Sequence, residues 1–482
     1  MTSVFATACS SMWLAAAMTL TPMAAAAQSA PIPAPAAAVP SAPGAAEFAK
    51  GKDASDHQDY AAAARWYRLA ADQGNANGQR ALGKLYAAGQ GVTQDFAEAM
   101  RWFRKAADQD DPAAEFDIGL LYAHGFGVAQ DYAEAMNWFR KAADKGDPDA
   151  ECSVGTLYEQ GSGVTKDPAE AMRWFRKAAE QGNATGQFNV GYLYKHGLGV
   201  QQDYAEAVAW YRKAADQGDG EAQFNLGLMY KTGLGVARDY TEAIRWFRKG
   251  AEQGDADSEN SLGVLLANGQ GIAPDYAEAM RWFRKAADQD NSEAKANIAA
   301  LYTAGHGVAQ DYAEALRWNR MAADQGDADA QSAIGSAYAY GHGVPQDYAE
   351  ALNWFRKGAE GGSTDGAYNL GTMYMNGDGV KEDDALAMQW LRKAADQGDM
   401  RAQNNIGLLY DQGRGVPQDH AEAVRWFRLS AEQGDVTAQH SLGLSYERGE
   451  GVPKDMTQAR FWMQKAADGG EPHAKLWLAA HP

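Results

Sequence analysis

The sequence has 482 residues, 46% of them hydrophobic, and a formal net charge of −19. Such an acidic balance argues against a nucleic-acid backbone or an anionic membrane surface as the main partner. It favours solubility and a neutral or basic partner.

In chain order, the first feature is an apolar run, Met12 to Leu20, followed by small residues ending Ala25-Ala26-Ala27. This pattern predicts a secretory signal peptide over 1–27, with a mature chain beginning near Gln28. No Lys or Arg precedes Lys50, so the usual positive n-region is missing, which a misplaced start codon would explain. The run is short for a membrane span, and no later segment is apolar enough for insertion. Cys9 lies ahead of the run, out of place for a lipid anchor. Removal of the leader leaves Cys152 as the lone cysteine, so the fold must be held by packing and no internal disulfide is expected. Residues 28–46 are Pro, Ala and Ser-rich up to Ala46 and read as a flexible linker.

From there twelve tryptophans, Trp66 through Trp462, recur every 36 residues without insertion or deletion. A fixed period of this size predicts a stack of small repeated units in place of the several globular domains a chain this long suggests. Residues 47–74 read as an atypical N-terminal capping repeat, because the usual glycine loop is absent. Eleven regular repeats then fill 75–470, and 471–482 read as a C-terminal capping helix and tail.

Each regular repeat predicts two helices. Helix A carries a pattern such as Ala222-Gln-Phe-Asn-Leu226-Gly227-Leu-Met-Tyr230, apolar on one helical face. A loop such as Gly233-Leu-Gly235-Val236 follows, its glycines allowing the positive φ that ends helix A. Helix B begins at an Asp seven residues before the Trp. In nine of the eleven regular repeats Glu stands three residues after that Asp, which reads as a capping box. Arg and Lys near the end of helix B suit the helix dipole. The glycine inside helix A recurs in ten repeats, with Ala299 the substitute. Glycine there costs about 1 kcal/mol, so a close-packed neighbouring helix is the expected reason.

These motifs (Leu-Gly-x-x-Tyr, Gly-x-Gly-Val, Asp-Tyr-x-Glu-Ala and Trp-Phe-x-Lys-Ala-Ala) resemble those of the Sel1-like repeat family, a relative of the tetratricopeptide repeat. The resemblance implies an all-α fold, a right-handed α-solenoid of about eleven 36-residue helix-turn-helix repeats with terminal caps. It also implies a non-enzymatic protein–protein interaction scaffold or adaptor in the bacterial envelope, periplasmic or secreted, whose partner is another protein or peptide. An alternative it carries is a secreted virulence factor that binds a host protein. A third is a β-lactamase or cell-wall hydrolase, as described for cysteine-rich members, although this chain lacks their disulfides.

Ser292-Glu-Ala-Lys295 and Lys231-Thr232-Gly233 match serine-acylase motifs but stand in reversed order, and read as chance. His306 and His342 share one loop position, and His124 and His196 another, without the further ligands a zinc site requires. No catalytic residue, metal or cofactor is therefore expected, and a monomer is. In tetratricopeptide-like superhelices helix A lines the concave surface. The most variable helix-A positions, three before, one after and four after the glycine, then form the groove. They place Phe116, Leu120, Phe188, Tyr192, Phe224, Leu228 and Tyr368 as candidate partner-binding residues. The competing reading has these side chains fill the space between neighbouring A helices.

Overall fold

A computed structural model describes residues 43–481. The expected signal peptide and nearly all of the expected linker lie outside the described residues. Within them all regular structure is helical: 25 α-helices and no strand. They form two compact units divided between Arg238 and Asp239.

The first unit holds α1 (Ala45–Asp56), α2 (Tyr60–Asp72), α3 (Ala76–Ala88), α4 (Phe96–Ala107), α5 (Pro112–His124), α6 (Tyr132–Asp144), α7 (Pro148–Gln160), α8 (Pro168–Glu180), α9 (Ala184–His196), α10 (Tyr204–Asp216) and α11 (Gly220–Thr232). The second holds α12 (Tyr240–Glu252), α13 (Ala256–Asn268), α14 (Tyr276–Asp288), α15 (Ser292–Ala304), α16 (Tyr312–Ala323), α17 (Ala328–Tyr340), α18 (Tyr348–Glu360), α19 (Thr364–Asn376), α20 (Asp384–Asp396), α21 (Met400–Gln412), α22 (His420–Gln433), α23 (Val436–Arg448), α24 (Met456–Asp468) and α25 (Pro472–Ala480). Odd-numbered helices are A helices and even-numbered ones are B helices. Within each unit every helix packs on the next in sequence, so each unit is an α-solenoid.

Every B helix starts on an Asp whose carboxylate accepts backbone N–H groups of the first turn, as Asp167 does from Ala169 and Glu170 at 3.0 Å each. The second half of the expected capping box is not formed. The Asp N–H instead donates to the carbonyl of the last motif residue in helix A, as Asp167 to Tyr158 at 2.9 Å, and this recurs in ten repeats. With that donor taken, the Glu side chain turns elsewhere. Glu170 accepts from the Trp174 indole at 3.1 Å and pairs with Arg173 at 2.9 Å.

The helix-A glycine is explained by its contact. A Cβ on Gly119 would stand 2.5 Å from the Phe139 ring, and one on Gly191 would stand 2.8 Å from Tyr211. The aromatic after the Trp thus packs on bare backbone. The second loop glycine meets the preceding repeat: a Cβ on Gly235, at φ 70, would lie 2.2 Å from the Tyr204 carbonyl oxygen. The following valine packs into the core, as Val164 and Val200 do.

The tryptophans join successive repeats. Trp102 packs with Tyr67 of the repeat before it and with Leu82 and Leu85 of its own, and Trp174 with Leu120 and Phe139 of the repeat before it and Leu157 of its own. Nine tryptophan rings carry the ammonium of the Lys three residues later at 3.6–5.0 Å. The Arg between them reaches the tyrosine hydroxyl of the next helix A in ten repeats, for example Arg176 to Tyr194 at 2.6 Å. Where that tyrosine is Leu266, Arg248 pairs with Glu278 at 2.7 Å instead.

The N-terminal pair keeps the same contact in altered form. Gly51 of α1 packs on Tyr67, with a Cβ placed at 2.5 Å. The glycine loop is missing because the α1–α2 connection is only His57, Gln58 and Asp59, with Gln58 at φ 61. The first helix opens at Ala45, so Ala45 and Ala46, read as linker, are helical. At the other end Glu471 caps α25, whose Trp477 and Leu478 cover Met463 while Leu476 stays 69% exposed.

Candidate functional site

In the first unit one face of α1, α3, α5, α7 and α9 lines a groove of about 440 Å³. Its apolar part comprises Phe48, Tyr67, Leu85, Phe116 and Leu120. Its polar part comprises Lys52, Arg80, Lys84, Asp117, Asp147 and Asp149. Most of the helix-A side chains in the lining sit six, three and two residues before, and one after, the helix-A glycine, positions that vary from repeat to repeat. Leu85, Asp147 and the Tyr67 ring over Gly51 are shared positions that complete the lining.

The charged groups there are partly locked. Arg80 Nε donates to Asp117 at 2.7 Å across two repeats, with the Asp117 side chain 4% exposed. Burial works against the Arg80 charge, and the Asp117 carboxylate outweighs it. Burial raises Asp147, which caps α7 by accepting from Ala150 at 2.9 Å. Lys52, Lys84 and Asp149 are exposed. The groove therefore presents an apolar strip bordered by both signs of charge.

The candidate residues named from sequence separate on this surface. Phe116 and Leu120 line the groove, although Phe116 also packs on Phe139 at 5.6 Å and Leu120 is buried. Phe188 is 7% exposed and packs on Tyr211 at 5.6 Å. Tyr192 is half-buried, its ring 4.4 Å from His196. Phe224 and Leu228 are half-buried outside the groove. Tyr368, in the second unit, is half-buried under the Arg401 guanidinium at 4.2 Å. The polar members Arg80, Lys84 and Asp149 stand outside the sequence-based set because it followed aromatic and apolar side chains.

The chemical motifs have local roles. Lys295 is buried and its Nζ pairs with Asp290 at 2.9 Å, while Thr232 donates to the Leu228 carbonyl at 2.7 Å. His306 stacks on Tyr276 at 4.5 Å and His342 on Tyr312 at 4.3 Å. Among the described residues no group of three or more His, Cys, Asp or Glu side chains is placed to hold a metal ion. No described helix is long and apolar enough to cross a membrane. Cys152 is buried, with its thiol 3.3 Å from Asn183 Oδ1.

Comparison with known proteins adds to this geometry. The Sel1 repeat model matches twelve segments in succession from 49–75 to 436–471, so the N-terminal helix pair counts as a repeat. A solved protective antigen present in uropathogenic Escherichia coli strains, with an SLR fold, is 39% identical over 85% of this chain and 88% of that chain, with a TM-score of 0.70. A Sel1 repeat protein from Oxalobacter formigenes is 36% identical over 51% of this chain and 96% of that one, with a TM-score of 0.48. No curated protein matches.

Proposed function

This chain belongs to the Sel1 repeat family, and from that premise we propose that it is an exported binding scaffold with no chemistry of its own. The fold is one that typically serves protein–protein interaction. The observation that carries the reading is the first-unit groove, where variable helix-A side chains such as Phe116, Leu120 and Lys84 gather with Tyr67 and Leu85 into one apolar strip with charged borders. Such a surface suits a protein segment with its own apolar anchors and charged flanks. The expected leader over 1–27 supports a place in the envelope or outside the cell, with a mature N-terminus near Gln28.

The relative that is a protective antigen favours a second, narrower reading, in which the partner is a host protein. Hydrolysis of a β-lactam or cell wall has less support, because Lys295 is held by Asp290.

Cross-linked capture with the full chain as bait, run on envelope fractions and on host proteins, tests the proposal. The reading expects a partner retained by the wild type and by Asp216→Lys, and lost from a Lys84→Glu, Asp149→Arg variant of unchanged helicity. Retention by all three would remove the groove from the account. Nitrocefin turnover that disappears in Ser292→Ala would overturn the non-catalytic part.

A further inference from the structure

One place in the second unit breaks the repeat's packing rule twice. The helix-A glycine is replaced by Ala299, and the ring that would pack on it is replaced by Asn319. At the equivalent pairs in that unit Gly263 meets Phe283, Gly335 meets Phe355 and Gly407 meets Phe427. One repeat later Ala337 stands where the flanking repeats have Leu301 and Met373. Both losses of bulk line the same cavity, of about 400 Å³, together with Ser332, Ser336 and Asn369.

Asn319 is 7% exposed, lines the cavity and makes no hydrogen bond with any described residue. Where a phenylalanine would present only carbon, this position presents a carboxamide donor and acceptor. Its donor and acceptor face space that an apolar ring would have filled. They match the carbonyl and N–H of one peptide group.

The shape of the cavity selects a linear ligand. Asp329, Asp365 and Arg401 line it from the same position of α17, α19 and α21. Packed helices lie about 8–10 Å apart, so three in a row span roughly 20 Å. That is the length of about six extended residues at roughly 3.3 Å each. The Arg401 charge is taken by Asp365 and Asp399. Asp329 is exposed and has no ion pair among the described residues, so one carboxylate is left to meet a basic side chain.

We propose that the second unit holds a binding site for an extended peptide segment, its backbone paired with the Asn319 and Asn369 carboxamides, a small residue over Ser332 and Ser336, and a Lys or Arg toward Asp329. The inference rests on the scaffold reading above and gives it a second, independent site.

A phage-displayed random heptapeptide library panned on the full chain tests it. Selected peptides should carry small residues beside Lys or Arg. Affinity for them should fall at least tenfold in the Ala299→Gly, Asn319→Phe, Ala337→Leu variant, which restores the repeat pattern, and in the surface variant Asp329→Lys. The restored variant should melt no lower than the wild type, which separates lost binding from unfolding. If the restored variant fails to fold, Asp329→Lys decides alone. Peptides that bind both variants as they bind the wild type would overturn the site. If those same peptides are lost on Lys84→Glu, the scaffold reading survives without it. Failure to select any peptide also overturns the site, while partner capture on the first-unit groove still decides the scaffold.

Discussion

At the residue scale, one tyrosine per repeat does two jobs. Tyr194 accepts the Asp203 N–H on its carbonyl at 3.0 Å and the Arg176 guanidinium on its hydroxyl at 2.6 Å. The first bond ties helix A to helix B within a repeat, and the second ties one repeat to the next. Sequence reading assigned the Asp correctly to the helix start. It misassigned the Glu, because a capping box and an Asp whose N–H is already bonded have the same spacing. Two substitutions separate these roles. Asp203→Ala should cost about 1 kcal/mol through lost cap bonds, while the exposed Glu206→Ala should stay within about 0.5 kcal/mol. Chemical denaturation of both variants checks this, and equal losses would restore the capping box. A second residue-scale prediction concerns His124, half-buried and stacked on Phe126 at 5.4 Å. Burial lowers its pKa from the ordinary 6.5. A lowered folded pKa means stability that is present above the unfolded value and lost as pH falls through the folded one. Thermal midpoints at pH 7.5 and 5.5 should therefore differ more for the wild type than for His124→Gln; an equal difference would contradict the assignment.

At the element scale, the contact between a bare helix-A glycine and the ring of helix B sets how closely each pair packs. Gly119→Ala improves helix propensity by about 1 kcal/mol but drives a Cβ to 2.5 Å from Phe139. Overpacking of this kind costs about 1–3 kcal/mol, so the variant should be no more stable and is expected to be less so. A calorimetric midpoint above the wild type would show that the ring moves away freely. The glycine's role was legible in the sequence, and its partner was not, because the two stand 20 residues apart on different helices. For the same reason Ala299 read as a lone substitute for glycine, and its pairing with Asn319 was not seen. The aromatic candidates fared unevenly for a related cause. Phe116 and Phe188, three before the glycine, pack on the helix-B ring of their own repeat, and periodicity gives such a residue's face without its depth. Phe188, buried against Tyr211, therefore belongs with the core, and Phe188→Ala should cost about 3–5 kcal/mol in the denaturation of its unit.

At the scale of the whole molecule, shared residues build the stack and unshared ones make its surfaces. Stability should then be close to a sum over repeats and their interfaces. Trp174→Ala, which removes a buried ring from the core of the preceding repeat, should cost about 3–5 kcal/mol. It should also separate the melting of the helices on either side, whereas one unbroken calorimetric transition at the wild-type temperature would refute a stack of this kind. The same division between shared and unshared residues underlies the functional claim, that the partner is held by the side chains the repeat leaves free. Titration calorimetry of the captured partner against the full chain and against its Lys84→Glu, Asp149→Arg variant tests that claim most directly. The account predicts a saturable isotherm for the wild type and at least a tenfold weaker one for the variant, at equal helical content. Equal affinities for the two proteins would contradict it.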